Sequence, residues 1–76
     1  MTRWQIVYSL FSAPDFVDSD TVEDWVRGFA KRNNIETSVE FEDFTDQMDV
    51  YVTPPGRKRM LFMTLMVFGS NVPPID

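Results

Sequence analysis

The sequence predicts an α+β domain of order β-α-β-β-β. The expectation is a single four-stranded, mostly antiparallel sheet with one helix packed on one face. Three observations predict it. Met60 to Phe68 is a nine-residue run with eight apolar residues and one Thr, bounded by Pro54-Pro55-Gly56 and Gly69. A helical stripe follows Asp20. Two further stretches, 36–44 and 48–53, alternate apolar and polar residues. The run 60–68 is far short of the roughly 20 residues a membrane helix needs. Its length and its bounding Pro and Gly favour a strand apolar on both faces, and such strands are buried on both sides.

Residues 3–12 form the first strand by their β-branched and aromatic content. Strict alternation puts Trp4, Ile6, Tyr8 and Leu10 on one face. Ala13-Pro14-Asp15 then breaks regular structure, and Phe16 and Val17 are expected to tuck under the helix. Residues 20–34 form that helix. Asp20 and Glu23 make a capping-box pair, and Val22, Trp25, Val26 and Phe29 recur at i, i+3, i+4 and i+7. Gly28 is read as a point of close approach by a strand. Asn33-Asn34 supplies a left-handed stop, with Ile35 as the apolar contact beyond it.

The strand 36–44 carries Thr37, Val39 and Phe41 on one side and Glu36, Ser38, Glu40 and Glu42 on the other. In the next strand Met48, Val50 and Val52 share a face. Pro54-Pro55-Gly56 reverses the chain into the last strand. Short connections make the last three strands a meander, and a right-handed β-α-β crossover puts the helix on one face. The expected strand order is 1-4-3-2. The expected face against the helix is Trp4, Ile6, Tyr8, Val39, Phe41 and Val50. Residues 70–76 read as a frayed, Pro-rich tail on the single domain 1–76.

The chain has 76 residues, a formal charge of −5, and neither Cys nor His. Disulfides and the usual zinc sites are therefore out of reach, as are Ser-His and Cys-His nucleophiles. A domain this small buries only about 60% of its unfolded surface, so a dense core or self-association must stabilise it. The acidic balance opposes general affinity for nucleic acid or anionic membrane. The first 13 residues lack a clean signal-peptide core, so a cytoplasmic, intracellular protein is expected.

Two charge blocks remain. Between Asn33 and Gly56 there is no Lys or Arg but there are six acids: Glu36, Glu40, Glu42, Asp43, Asp46 and Asp49. The plain reading is an edge hairpin protected by charge. The functional reading is a surface for a basic partner, including a protein that binds nucleic acid, with Glu40 and Glu42 spaced as phosphates would be. Arg57-Lys58-Arg59 reads as a gatekeeper beside the apolar run or as a contact for phosphate or acidic partners. Tyr8 and Tyr51 are the aromatics expected to be partly exposed with their hydroxyls in water, Tyr51 beside these charges. Trp4, Trp25 and Phe29 are assigned to the core, and the Met residues at 48, 60, 63 and 66 suit adaptable contacts.

The functional expectation is a small, non-enzymatic protein-interaction module, an adaptor or inhibitor. It acts through the acidic hairpin or an apolar sheet face, needs no cofactor and no metal, and can work as a homodimer. In size and composition the chain is like accessory proteins of bacteria and their viruses. The alternatives are a nucleic-acid binder using Arg57, Lys58, Arg59 and exposed aromatics, and an enzyme acting through carboxylates. The case for contact with another chain rests on coverage: one helix covers one sheet face, and the last strand presents two apolar rows.

Overall fold

The computed structural model describes residues 2–35 and 39–68. The elements are β1 (Arg3–Ser9), β2 (Phe16–Asp18), α1 (Val22–Arg32), β3 (Val39–Asp43), β4 (Gln47–Val52) and β5 (Met60–Val67). They build one sheet of five strands in the order β2-β1-β5-β4-β3, with every neighbouring pair antiparallel. The expected four-stranded sheet is thus replaced by a five-stranded one: the four expected strands keep their relative order, and β2 is added at the edge beside β1. The added strand is β2, which pairs with the start of β1 through Arg3↔Asp18, Trp4↔Val17 and Gln5↔Phe16. Pro14 breaks the chain but does not keep it a loop, because the six-residue connection is long enough to fold back on β1. The Asp15 carbonyl accepts the Ile6 N–H at 2.8 Å and prolongs the ladder.

β2 and β3 occupy opposite edges and, by the chain of antiparallel pairings, point the same way. The helix carries the chain between those edges over one face. Val22, Val26, Phe29 and Ala30 of α1 are buried against Met48, Val50 and Val52 of β4 and Phe62, Met63 and Leu65 of β5. Each large apolar side chain so buried is worth about 1.5–3 kcal/mol. Trp4, Ile6, Trp25, Val39, Phe41 and Met60 pack around this cluster. Trp25 stacks on Phe29 with ring centroids 5.3 Å apart.

The helix is shorter than the expected 20–34. Its N-cap is Thr21, which makes no side-chain capping bond. Asp20 instead accepts the Thr2 N–H at 3.2 Å, and the Thr21 N–H donates to Ser19 Oγ at 2.9 Å. The requirement to tie β1 beside β2 thus diverts the carboxylate expected to cap. The C-terminus follows its sequence signal. Asn34 has φ +62, its N–H donates to the Lys31 carbonyl, and the Ile35 N–H donates to the Ala30 carbonyl. These are the two bonds of the Schellman motif. Pro54 to Arg57 forms the other sharp turn: the Arg57 N–H reaches the Pro54 carbonyl at 3.0 Å, and Gly56 has φ +72. Pro at the second position and positive φ at the third are the type II pattern.

Strict alternation fails at two places, and both failures are β-bulges. Against β4, Val50 pairs with Met63 and Tyr51 with Leu61, so Phe62 is an extra residue in β5. Phe62 and Met63 both turn to the helix side and both are fully buried. Against β5, Ile6 pairs with Leu65 and Tyr8 with Thr64, so Val7 is an extra residue in β1. Beyond it Tyr8 leaves the helix face, contrary to the alternation 4-6-8-10, and is 43% exposed. Ser9 takes the inward position opposite Met63, where its Oγ is buried without a hydrogen-bond partner. The bulge at Phe62 also re-sorts the last strand. Met60, Met63 and Leu65 pair with the inward residues Val52, Val50 and Met48, while Leu61, Thr64 and Met66 face the other way. The expected alternation of the last strand into two apolar rows, Met60-Phe62-Thr64-Met66-Phe68 and Leu61-Met63-Leu65-Val67, therefore does not hold.

Gly28 serves no close approach by a strand. A Cβ there meets only the Arg32 guanidinium, at 3.5 Å. Among the described residues, no helix is long and apolar enough to cross a membrane. Two substitutions test this account. Phe62→Ala is expected to cost about 3–5 kcal/mol, the usual loss for a buried Phe. Gly28→Ala is expected to stabilise by about 1 kcal/mol, because it removes only the helix-interior cost of Gly. Urea unfolding of both variants, with m unchanged, reads these values directly.

Candidate functional site: the open face of the sheet

The face opposite the helix is built by the residues that alternation and the two bulges turn outward. The backbone pairings place them in cross-strand rows. One row runs Glu40, Tyr51, Leu61 across β3, β4 and β5. The next runs Glu42, Asp49, Thr64, Tyr8 and reaches β1. The third continues the β3–β4 register by one step, where the Phe44 N–H donates to the Gln47 carbonyl at 2.8 Å. It runs Phe44, Gln47, Met66, Gln5, Phe16, crossing β4, β5, β1 and β2 with Phe44 one residue beyond the end of β3. Beyond it lie Phe68, Arg3 and Asp18.

The basic triplet and the acidic hairpin meet on this face. Arg59 Nε donates to Glu40 at 2.7 Å, and its terminal nitrogen donates to Glu42 at 3.3 Å. Its guanidinium carbon also lies 3.7 Å from the centroid of the Tyr51 ring. The sequence block without Lys or Arg is thus partly neutralised in space by a residue outside it. Asp49 accepts from Gln47 Nε2 at 3.0 Å and from Thr64 Oγ1 at 3.2 Å, which orients its carboxylate along the sheet. Arg57 and Lys58 stay exposed in the turn.

The other expected contact residues do not converge. Asp43 pairs with Met48 at the helix-side rim of β3 and is exposed. Asp46 sits in the β3–β4 turn, where its carbonyl accepts the Val67 N–H. Glu36 lies outside the described residues, as does the tail 70–76. The structure therefore brings Glu40, Glu42, Asp49, Tyr51 and Arg59 together on one face and leaves Asp43, Asp46, Arg57 and Lys58 at its margins.

Of the exposed apolar residues of this face, the sequence points to Met66 as an adaptable contact but not to Phe16, Phe44 or Phe68. Phe16, expected under the helix, stands on the open face 41% exposed and meets Phe68 edge-on at 4.9 Å. Phe44, Met66 and Phe68 are 57%, 41% and 49% exposed. The strand β2 was the missing signal, because only its pairing with β1 decides which way Phe16 points.

Arg3 forms a two-bonded pair with Asp18 at 2.8 and 3.1 Å and lies over the Phe16 ring. The hydrogen bonds from Arg3 hold the Asp18 carboxyl below its ordinary value, with the positive charge adding to the effect. Elsewhere, a depression of about 320 Å³ lies beside the helix N-terminus, bordered by Asp20, Glu23, Asp24 and Met48. Its carboxylates already complement the positive end of the helix. Among the described residues, no group of three or more acidic, His or Cys side chains is placed to hold a metal ion. No protein-family model, curated protein or solved structure matches the chain.

The Arg3–Asp18 pair gives a pH prediction. Because the folded-state value of Asp18 is depressed, its stabilising contribution is present above the unfolded Asp value, about 3.9. That contribution is lost as pH falls through the folded-state value. Arg3→Ala is expected to move the Asp18 carboxyl back up toward its ordinary value in an NMR titration. The same variant weakens the acid-dependence of stability contributed by this group.

Proposed function

We propose that the chain is a small, non-enzymatic protein-interaction module that docks through the open face of its sheet. The observation that carries this reading is the row Phe44-Gln47-Met66-Gln5-Phe16, three of whose residues are large, apolar and exposed on a face that, among the described residues, no helix covers. Scattered exposed hydrophobic residues are ordinary, whereas apolar residues aligned across a whole sheet and rimmed by polar groups suit an interface. The carboxylates of Glu40, Glu42 and Asp49 form one rim of that row and select orientation rather than supply most of the affinity. With no His and no Cys in the chain, the reading assigns no catalytic residue. Arg59, one of the three cations of the nucleic-acid reading, is engaged by Glu40 and Glu42.

The test compares partner retention by wild-type chain and by Met66→Lys and Phe44→Asp, both at exposed positions. Retention is expected to fall at least tenfold in both variants while Lys31→Ala, on the helix, has no effect. Retention unchanged by the two open-face substitutions overturns the proposal. Binding of oligonucleotides at low salt that falls with Arg57→Ala and Lys58→Ala also overturns it, in favour of the nucleic-acid reading.

A further inference from the structure

The row across the open face reads the same from either end. β5 is the central strand, with β1 and β4 beside it and β2 and β3 at the edges. Along the row the residues are Phe16 on β2, Gln5 on β1, Met66 on β5, Gln47 on β4, and Phe44 extending β3. Phe16 and Phe44 each lie two strand spacings, about 9–10 Å, from Met66. In a twofold contact residue i meets j and j meets i, so such a row laid over its own reversed copy sets like residues against like.

We infer that the open face pairs with the open face of a second copy of this chain. The twofold axis runs along β5 and passes between the two sheets. This inference rests on the docking role of the open face and names its partner. Met66 then packs on Met66 of the second copy, and Phe16 of each copy packs against Phe44 of the other. Gln5 lies opposite Gln47, whose amides are complementary donors and acceptors. The strands of the two sheets run nearly parallel, as aligned sheet packing requires.

The charges fix the direction of the axis. Glu40, Glu42 and Asp49 all lie on the β3–β4 half of the face. A twofold running across the strands sets that acidic half over the same half of the second copy. A twofold along β5 sets it over the β1–β2 half. There Tyr8 comes opposite Asp49, a phenol able to donate to a carboxylate, and Asp18 is already neutralised by Arg3. The area also suffices. Five strands wide and about six residues long, the face measures roughly 24 by 20 Å, on the order of 500 Å² per copy. The pair together covers on the order of 1,000 Å², the size at which specific interfaces begin. The dimer is therefore a concentration-dependent one.

The experiment is sedimentation equilibrium over a wide concentration range, with wild-type chain and Met66→Lys. The expected mass rises from 8.9 kDa toward twice that value for wild type. Met66→Lys is expected to weaken association at least tenfold, with an unchanged thermal unfolding midpoint at dilutions where both chains are monomeric. Geometry is tested with single thiols, since the chain has no Cys of its own. A short bismaleimide that spans the ~10 Å between facing sheets links Met66→Cys to itself. It links a mixture of Phe16→Cys and Phe44→Cys chains to each other, and links neither of those two to itself. A mass of one chain at every concentration overturns the dimer, as does a dimer untouched by Met66→Lys or a different cross-linking pattern. A monomer that still retains another protein through the open face overturns this inference alone. A monomer that retains nothing overturns the docking reading as well.

Discussion

The insertion of Phe62 into the central strand is the constraint on which the rest depends. β5 pairs on both sides, so an extra residue there cannot be absorbed at an edge. The bulge turns Phe62 and Met63 to the same side, and both reach zero exposure. Phe62 then meets Phe29 of the helix at 5.9 Å and Phe11 of the β1–β2 connection at 6.0 Å. One side chain so joins the helix, the sheet and the loop that leads into β2. Aromatic pairs of this kind add about 0.5–1.5 kcal/mol each beyond their buried area. In a chain this short, such a hub does what a disulfide does in other small domains.

The same insertion defines the open face. Without it, Leu61, Met63, Leu65 and Val67 form a second apolar row, too large to leave in water. With it, Met63 and Leu65 join the helix side, and the outward residues of β5 become Leu61, Thr64 and Met66. The second bulge, at Val7, turns Tyr8 outward beside Thr64. The face that results is mixed: a carboxylate corner bridged by Arg59, a polar middle, and one row in which exposed apolar residues alternate with Gln. Such a surface tolerates exposure to water and still offers self-complementary contact.

Much of the architecture was legible in the residues. The helical stripe Val22-Val26-Phe29, the left-handed Asn34, the Pro-Pro-Gly reversal and the alternation of β3 and β4 each carry local physical signals that the structure follows. The extra strand was not legible, because three residues after a Pro have no periodicity to read, and their pairing is decided by β1. The bulges were hidden for a similar reason. Register is set by partners, and a one-residue slip moves every later side chain to the other face. In the candidate site, Glu40, Glu42, Asp49, Tyr51 and Arg59 were visible as charge and aromatic patterns. The row of Phe16, Phe44 and Met66 was not, because its members come from three separate segments and align only once the sheet is assembled.

The central claim is that this assembled row, rather than the acidic hairpin alone, is where the chain makes contact. An amide-resolved NMR dilution series tests it most directly. As concentration rises, the account predicts that the amides of Gln5, Phe16, Phe44, Gln47 and Met66 shift together along one binding curve, while those of Val22 to Arg32 stay fixed. Concentration-dependent shifts confined to the helix or to the outer edge of β3, with the row unmoved, contradict it.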